Sequence, residues 1–112
     1  MTAARDFEDY LHDMLEASNK VASFVVGSTL EQFLGDEKTQ FAVVRGLEII
    51  GEAAKKIPAS FKAKHPQIPW REVAGMRDKL VHDYFGVNAQ VVWKTAQEDV
   101  PGIAKSLHSI LP

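Results

Sequence analysis

The chain has 112 residues, thirteen lysines and arginines against fifteen aspartates and glutamates, no cysteine, and 46% hydrophobic residues. That length supplies one hydrophobic core and not two, so a single domain spanning residues 1–112 is expected. The absent cysteines exclude a disulfide scaffold, thiolate metal ligation and a cysteine nucleophile, while the net charge of −2 argues against a generic nucleic-acid coat.

In chain order, Phe7, Tyr10, Leu11, Met14, Val21 and Val25 recur at helical steps, with Asp6, Glu8, Asp9, Asp13 and Glu16 on other faces. This predicts an amphipathic helix over about 4–26, ended by Gly27 and Ser28. Thr29 is placed to cap a short turn over 30–34. Asp36 is a good N-cap for a long helix with the apolar set Phe41, Val44, Leu47, Ile50, Ala54 and Ile57, which must stop before Pro58. The proline-bounded stretch PASFKAKHPQIP reads as a connection with one helical turn near 60–64. A third main helix is expected from Pro69 and Trp70, carrying Val73, Met76, Leu80, Val81 and Tyr84 inward and stopping at Gly86. Asn88 then caps a fourth, through Val91, Val92 and Ala96, which Pro101 should interrupt or kink before it resumes over 103–111.

No window alternates with the period of a strand, so the chain reads as all-α. Short connections favour an up-and-down four-helix bundle with one or two short extra helices. No run approaches the roughly 20 apolar residues that span a bilayer, and the opening MTAARDFEDYLHDM is acidic where a signal peptide is basic. A cytoplasmic protein with no membrane partner is the expectation.

Charge is divided unevenly along the chain. Residues 1–54 carry four basic and ten acidic side chains, a net −6, whereas residues 55–82 carry seven basic and two acidic, a net +5. The basic set is Lys55, Lys56, Lys62, Lys64, Arg71, Arg77 and Lys79. It serves either as a solvated helix end, where lysines suit a C-terminal dipole, or as a phosphate-binding surface. Lys55, Lys56, Arg71 and Lys79 are the candidate RNA contacts.

Within this stretch, Asp78 and His82 are four residues apart on one helical face, so the carboxylate can fix the imidazole's tautomer. Arg77 lies about 140° from His82 around a regular helix, so the two converge on one phosphate only if a groove wraps the helix or a second copy contributes. A histidine that moves protons near neutral pH, with an arginine to hold developing phosphorane charge, suits RNA cleavage. Surface hydrogen bonding by the same residues, with Tyr84 in the core, is the plainer alternative. Elsewhere Glu8, Asp9, His12 and Glu16 share helical spacing but have no matching element on a later helix, so they read as solvated face and no metal is expected. Phosphate loops, GxSxG and HExxH are absent.

The segment 75–87, GMRDKLVHDYFGV, resembles the Arg-x4-His-x-Tyr motif of the HepT-like toxins of the HEPN superfamily. The likeness extends to DEKTQ at 36–40, LEIIGEAAK at 47–55, IPWR at 68–71, and VW at 92–93 before DVP at 99–101. It implies a HEPN-like bundle that forms a homodimer, with Arg77 and His82 of both copies lining a cleft and Asp78 as supporting group. It also implies a metal-independent endoribonuclease, the toxin of a toxin–antitoxin pair, with no cofactor. The implied partners are RNA and a MntA-like nucleotidyltransferase antitoxin that transfers AMP to the motif tyrosine, here Tyr84. The competing expectation is a non-catalytic subunit that binds a nucleotide or that nucleotidyltransferase.

Overall fold

Leu11, Met14, Ala17, Val21 and Val25 follow one another at three- and four-residue steps, and all five are buried along one stripe of a helix. In a computed structural model, which describes residues 5–76 and 88–111, this helix is α1 (Phe7–Val25). It begins later than the hydrophobic pattern suggests because Asp6 is the N-cap, its backbone N–H donating to the Asp9 carboxylate at 3.1 Å. Gly27, with φ of 76°, turns the chain away after it.

The next elements carry their own stops and starts. In α2 (Leu30–Leu34) the Thr29 hydroxyl accepts from the Gln32 N–H at 3.1 Å, and the Gln32 side chain accepts from the Thr29 N–H at 3.0 Å. Asp36 caps α3 (Glu37–Lys55) by accepting from both the N–H and the hydroxyl of Thr39. Those bonds, the hydroxyl first, stabilise the charged form and hold the Asp36 carboxyl below its ordinary pKa. After Pro58, α4 (Ala59–Lys64) makes the single expected turn. The described part of α5 is residues 70–76, opened by the Pro69 carbonyl accepting from the Val73 N–H. Leu80, Val81, Tyr84 and Gly86, expected to complete that helix, lie outside the described residues.

Two expectations need correction. Phe41 is not in the core face of α3 but 61% exposed. At 100° per residue it lies about 160° from Val43, which is fully buried with Leu47, Ile50 and Ala54. Repeated three-residue steps drift off the face that those residues share. Pro101, in turn, opens no gap in the last helix, although the α geometry gives way just before it. Residues 89–110 are helical without a gap, as α6 (Ala89–Lys94), a π-helical turn (Thr95–Asp99) and α7 (Val100–Ile110). Proline removes one donor and crowds the carbonyl four residues back. The turn just upstream is widened, with the Val100 N–H donating to the Thr95 carbonyl, and this slack lets the helix pass.

The result is an all-α bundle with no strand among the described residues. At its centre α1 packs against α3 and α7. Gly46 sets the α1–α3 approach, because a Cβ there would collide with the Val21 side chain. Phe33 of α2 is buried against Trp93 of α6, ring centroids 5.2 Å apart, and the Gln97 side chain donates to the Val25 carbonyl at 3.0 Å, tying the π-helical turn to the end of α1. No helix among the described residues is long and apolar enough to cross a membrane.

Candidate functional site

The chain approaches the Arg-x4-His-x-Tyr segment along α5, and that approach is firmly anchored. Ile68 and Val73 are buried, and Trp70 is buried with its indole N–H donating to the His65 carbonyl at 2.9 Å. Phe61 of α4 fills the space between neighbours, its ring centroid 5.1 Å from Phe7, 4.5 Å from His65 and 6.3 Å from Trp70. This aromatic cluster fixes α4 to the start of α5. Half-buried Met76 is the last described residue before the motif.

Of the site residues read from the sequence, Lys55, Lys56 and Arg71 are described, and all three are exposed. Lys55 ends α3, Lys56 is its C-cap, and Arg71 stands in the first turn of α5. Arg77, Asp78, Lys79, His82 and Tyr84 lie outside the described residues.

Two concave surfaces flank this region. Along α5 and the last helix runs a cleft of about 690 Å³ lined by Glu72, Met76, Thr95, Glu98, Asp99 and Ser106, among others. Three carboxylates, and no lysine or arginine, line it among the described residues. Sequence reading missed this cleft, because Glu72 and the Glu98–Asp99 pair come from separate helices and acquire a common meaning only when packed. The second surface is a groove of about 420 Å³ between α1 and α3. There Arg5 lies 4.7 Å over the Tyr10 ring and 2.8 Å from Asp13, and its hydrogen bond to Asp13 raises its pKa above the ordinary value. Lys20 pairs with Glu16 at 2.9 Å and Arg45 with Glu48 at 3.4 Å. Arg5, Lys20 and Arg45 thus each have a carboxylate partner along the helices, and exposed Lys56 also lines the groove. Among the described residues, no three histidines, aspartates or glutamates are grouped to hold a metal ion. The Asp9 carboxylate caps its own helix and Glu16 holds Lys20.

The Ribonuclease HepT-like family model matches residues 14–110. A Thermococcus cleftensis protein named "Probable ribonuclease HepT" is 57% identical over 99 residues, covering 88% of this chain and 90% of its own length. A Methanocaldococcus jannaschii protein provisionally named an RNase is 45% identical over 107 residues, covering 96% of this chain and 88% of its own. Another such protein, from Caldanaerobacter subterraneus, is 44% identical over 102 residues, covering 91% of each. No solved structure matches the chain. With the family model covering most of the sequence, the Arg77–Tyr84 segment included, the chain belongs to the HepT-like ribonuclease family.

Proposed function

We propose that this protein is a metal-independent endoribonuclease, the toxin of a toxin–antitoxin pair, acting as a homodimer whose cleft joins Arg77 and His82 from both copies. The observation that carries the reading is that the family match runs through the Arg-x4-His-x-Tyr segment, which holds the residue types RNA cleavage needs. One His82 takes the proton of a 2′-hydroxyl, the 2′-oxygen attacks the adjacent phosphorus, and the bond to the 5′-oxygen breaks. The departing oxygen takes a proton from the His82 of the second copy, leaving a 2′,3′-cyclic phosphate and a 5′-hydroxyl. Arg77 holds the charge that develops on the phosphorane oxygens. Asp78 orients His82, and Lys79, Arg71, Lys55 and Lys56 contact the RNA backbone.

The deciding experiment incubates purified protein with total RNA in EDTA. Wild type is expected to cleave, and His82→Ala to lose about 10²- to 10⁴-fold in rate, the usual worth of a general acid or base, while remaining a folded dimer. Equal cleavage by the two proteins would remove His82 from the chemistry, and binding without cleavage by wild type favours the non-catalytic subunit.

Control falls to Tyr84. A MntA-like nucleotidyltransferase joins the tyrosine oxygen to the α-phosphorus of ATP and releases pyrophosphate, and the added negative charge and bulk obstruct the RNA phosphate. Intact mass after incubation with the nucleotidyltransferase and ATP should rise by adenylate increments in wild type and stay constant in Tyr84→Phe. An unchanged wild-type mass rejects this mode of control and leaves neutralisation to antitoxin binding.

A further inference from the structure

Between Glu52 and Glu72 the chain carries no acidic residue and five cations, Lys55, Lys56, Lys62, Lys64 and Arg71. That leaves eight basic against fifteen acidic side chains, a net −7, for the rest of the chain. The structure gathers this stretch into one corner. The Phe61 ring sits against Phe7, His65 and Trp70, and the Trp70 indole donates to the His65 carbonyl, so the short α4 is pinned between the end of α3 and the start of α5. Its two lysines, Lys62 half-buried and Lys64 exposed, stand two residues apart and about 160° from each other around α4, so they meet different stretches of a strand that crosses the end of the helix. The corner lies beside the first turn of α5, and Arg71 stands six residues before Arg77 in the sequence.

We propose that α4 and its flanks form an RNA-backbone contact surface that extends the cleavage site, with Lys62 and Lys64 as residues that hold substrate away from the scissile bond. This rests on the ribonuclease reading above. Glu72, Glu98 and Asp99 line the cleft beside α5, and in the α1–α3 groove Arg5, Lys20 and Arg45 are each held by a carboxylate while the remaining cation, Lys56, belongs to the corner stretch, so the corner attracts phosphates more than either. The short α4 carries no acidic residue of its own, and its anchoring through Phe61 lowers the entropy its cations lose on binding. Its contacts read no base, so the effect on affinity is independent of sequence and screened by salt.

The test measures binding of a labelled single-stranded RNA with 2′-O-methyl groups, which lacks the nucleophile, across a salt series, and cleavage of the unmodified RNA. Each phosphate contact on a single strand contributes about 0.7 to the slope of log affinity against log salt. Lys62→Gln with Lys64→Gln should therefore lower the slope by about 1.4. Wild-type affinity then falls about sevenfold more than the variant's between 50 and 200 mM salt. In cleavage, the loss should appear in KM. Lys62→Arg with Lys64→Arg should restore the slope, and the charge-matched Lys94→Gln with Lys105→Gln, at exposed positions elsewhere, should keep that of wild type. A glutamine variant with the wild-type slope and KM, while His82→Ala still abolishes cleavage, overturns the corner and leaves the ribonuclease standing. A variant that keeps its RNA slope but loses the nucleotidyltransferase makes the corner a protein-docking surface and overturns the proposal as well. If wild type neither binds nor cuts RNA, both readings fail together.

Discussion

The α1–α3 pair and the corner of residues 53–71 are joined at Ala53–Lys56, yet they use charge and packing in opposite ways. Between α1 and α3 the helices meet closely, with Gly46 against Val21 and apolar side chains along the seam. Three nearby cations are spent within the pair, Arg5 on Asp13, Lys20 on Glu16 and Arg45 on Glu48. The corner has no such close helix crossing. It is held by the tilted rings of Phe7, Phe61, His65 and Trp70 and by one indole hydrogen bond, and its cations have no acidic residue within the stretch. The first region is built to be stable and the second to present charge. Substitutions should therefore separate stability from RNA affinity, and the comparison fails if they do not.

The close crossing should respond in stability alone. Gly46→Ala gains about 1 kcal/mol of helix propensity but forces a methyl group into Val21, and overpacking a fitted core costs about 1–3 kcal/mol. Net destabilisation of up to about 2 kcal/mol is expected from denaturant unfolding, with no change in the salt slope of RNA binding. Pairing it with Val21→Ala tests the cause, since the two changes should cost less together than the sum of each alone. Strict additivity would show that the collision does not set the approach of the helices.

How far these features could be read in the sequence depends on how local they are. Thr29, Asp36 and Asn88 each cap a helix through a side chain reaching three residues ahead, so four-residue windows contain the whole interaction. Phe41 falls off the core face because three-residue steps drift around a 3.6-residue helix, and only the packing of α3 shows which stripe is covered. The passage through Pro101 depends on the widened turn over Thr95–Asp99, which Gln97 fastens to Val25, 72 residues away. No local pattern carries that bond. In the candidate site, the order of Arg77, Asp78, His82 and Tyr84 is legible as spacing and as family likeness. The neighbouring cleft is not, because its carboxylates come from helices that meet only in the fold.

The finer test of the comparison lies in Trp70. Trp70→Phe keeps an aromatic ring in the cluster and removes the donor to the His65 carbonyl, a bond of 2.9 Å. A hydrogen bond of this kind is worth about 1 kcal/mol net, and part of the indole's packing is lost with it. A stability loss of about 1–2 kcal/mol is expected, of the same order as that at Gly46. The functional consequence should differ in kind. Loosening His65 frees the end of α4, so Lys62 and Lys64 lose their fixed spacing and RNA affinity falls although no charge has been removed. If Trp70→Phe and Gly46→Ala are compared at matched stability, only the former should raise KM for RNA cleavage. Equal KM values would mean that the corner's charge suffices without its rigidity, and the aromatic cluster would then be part of the frame and not of the binding surface.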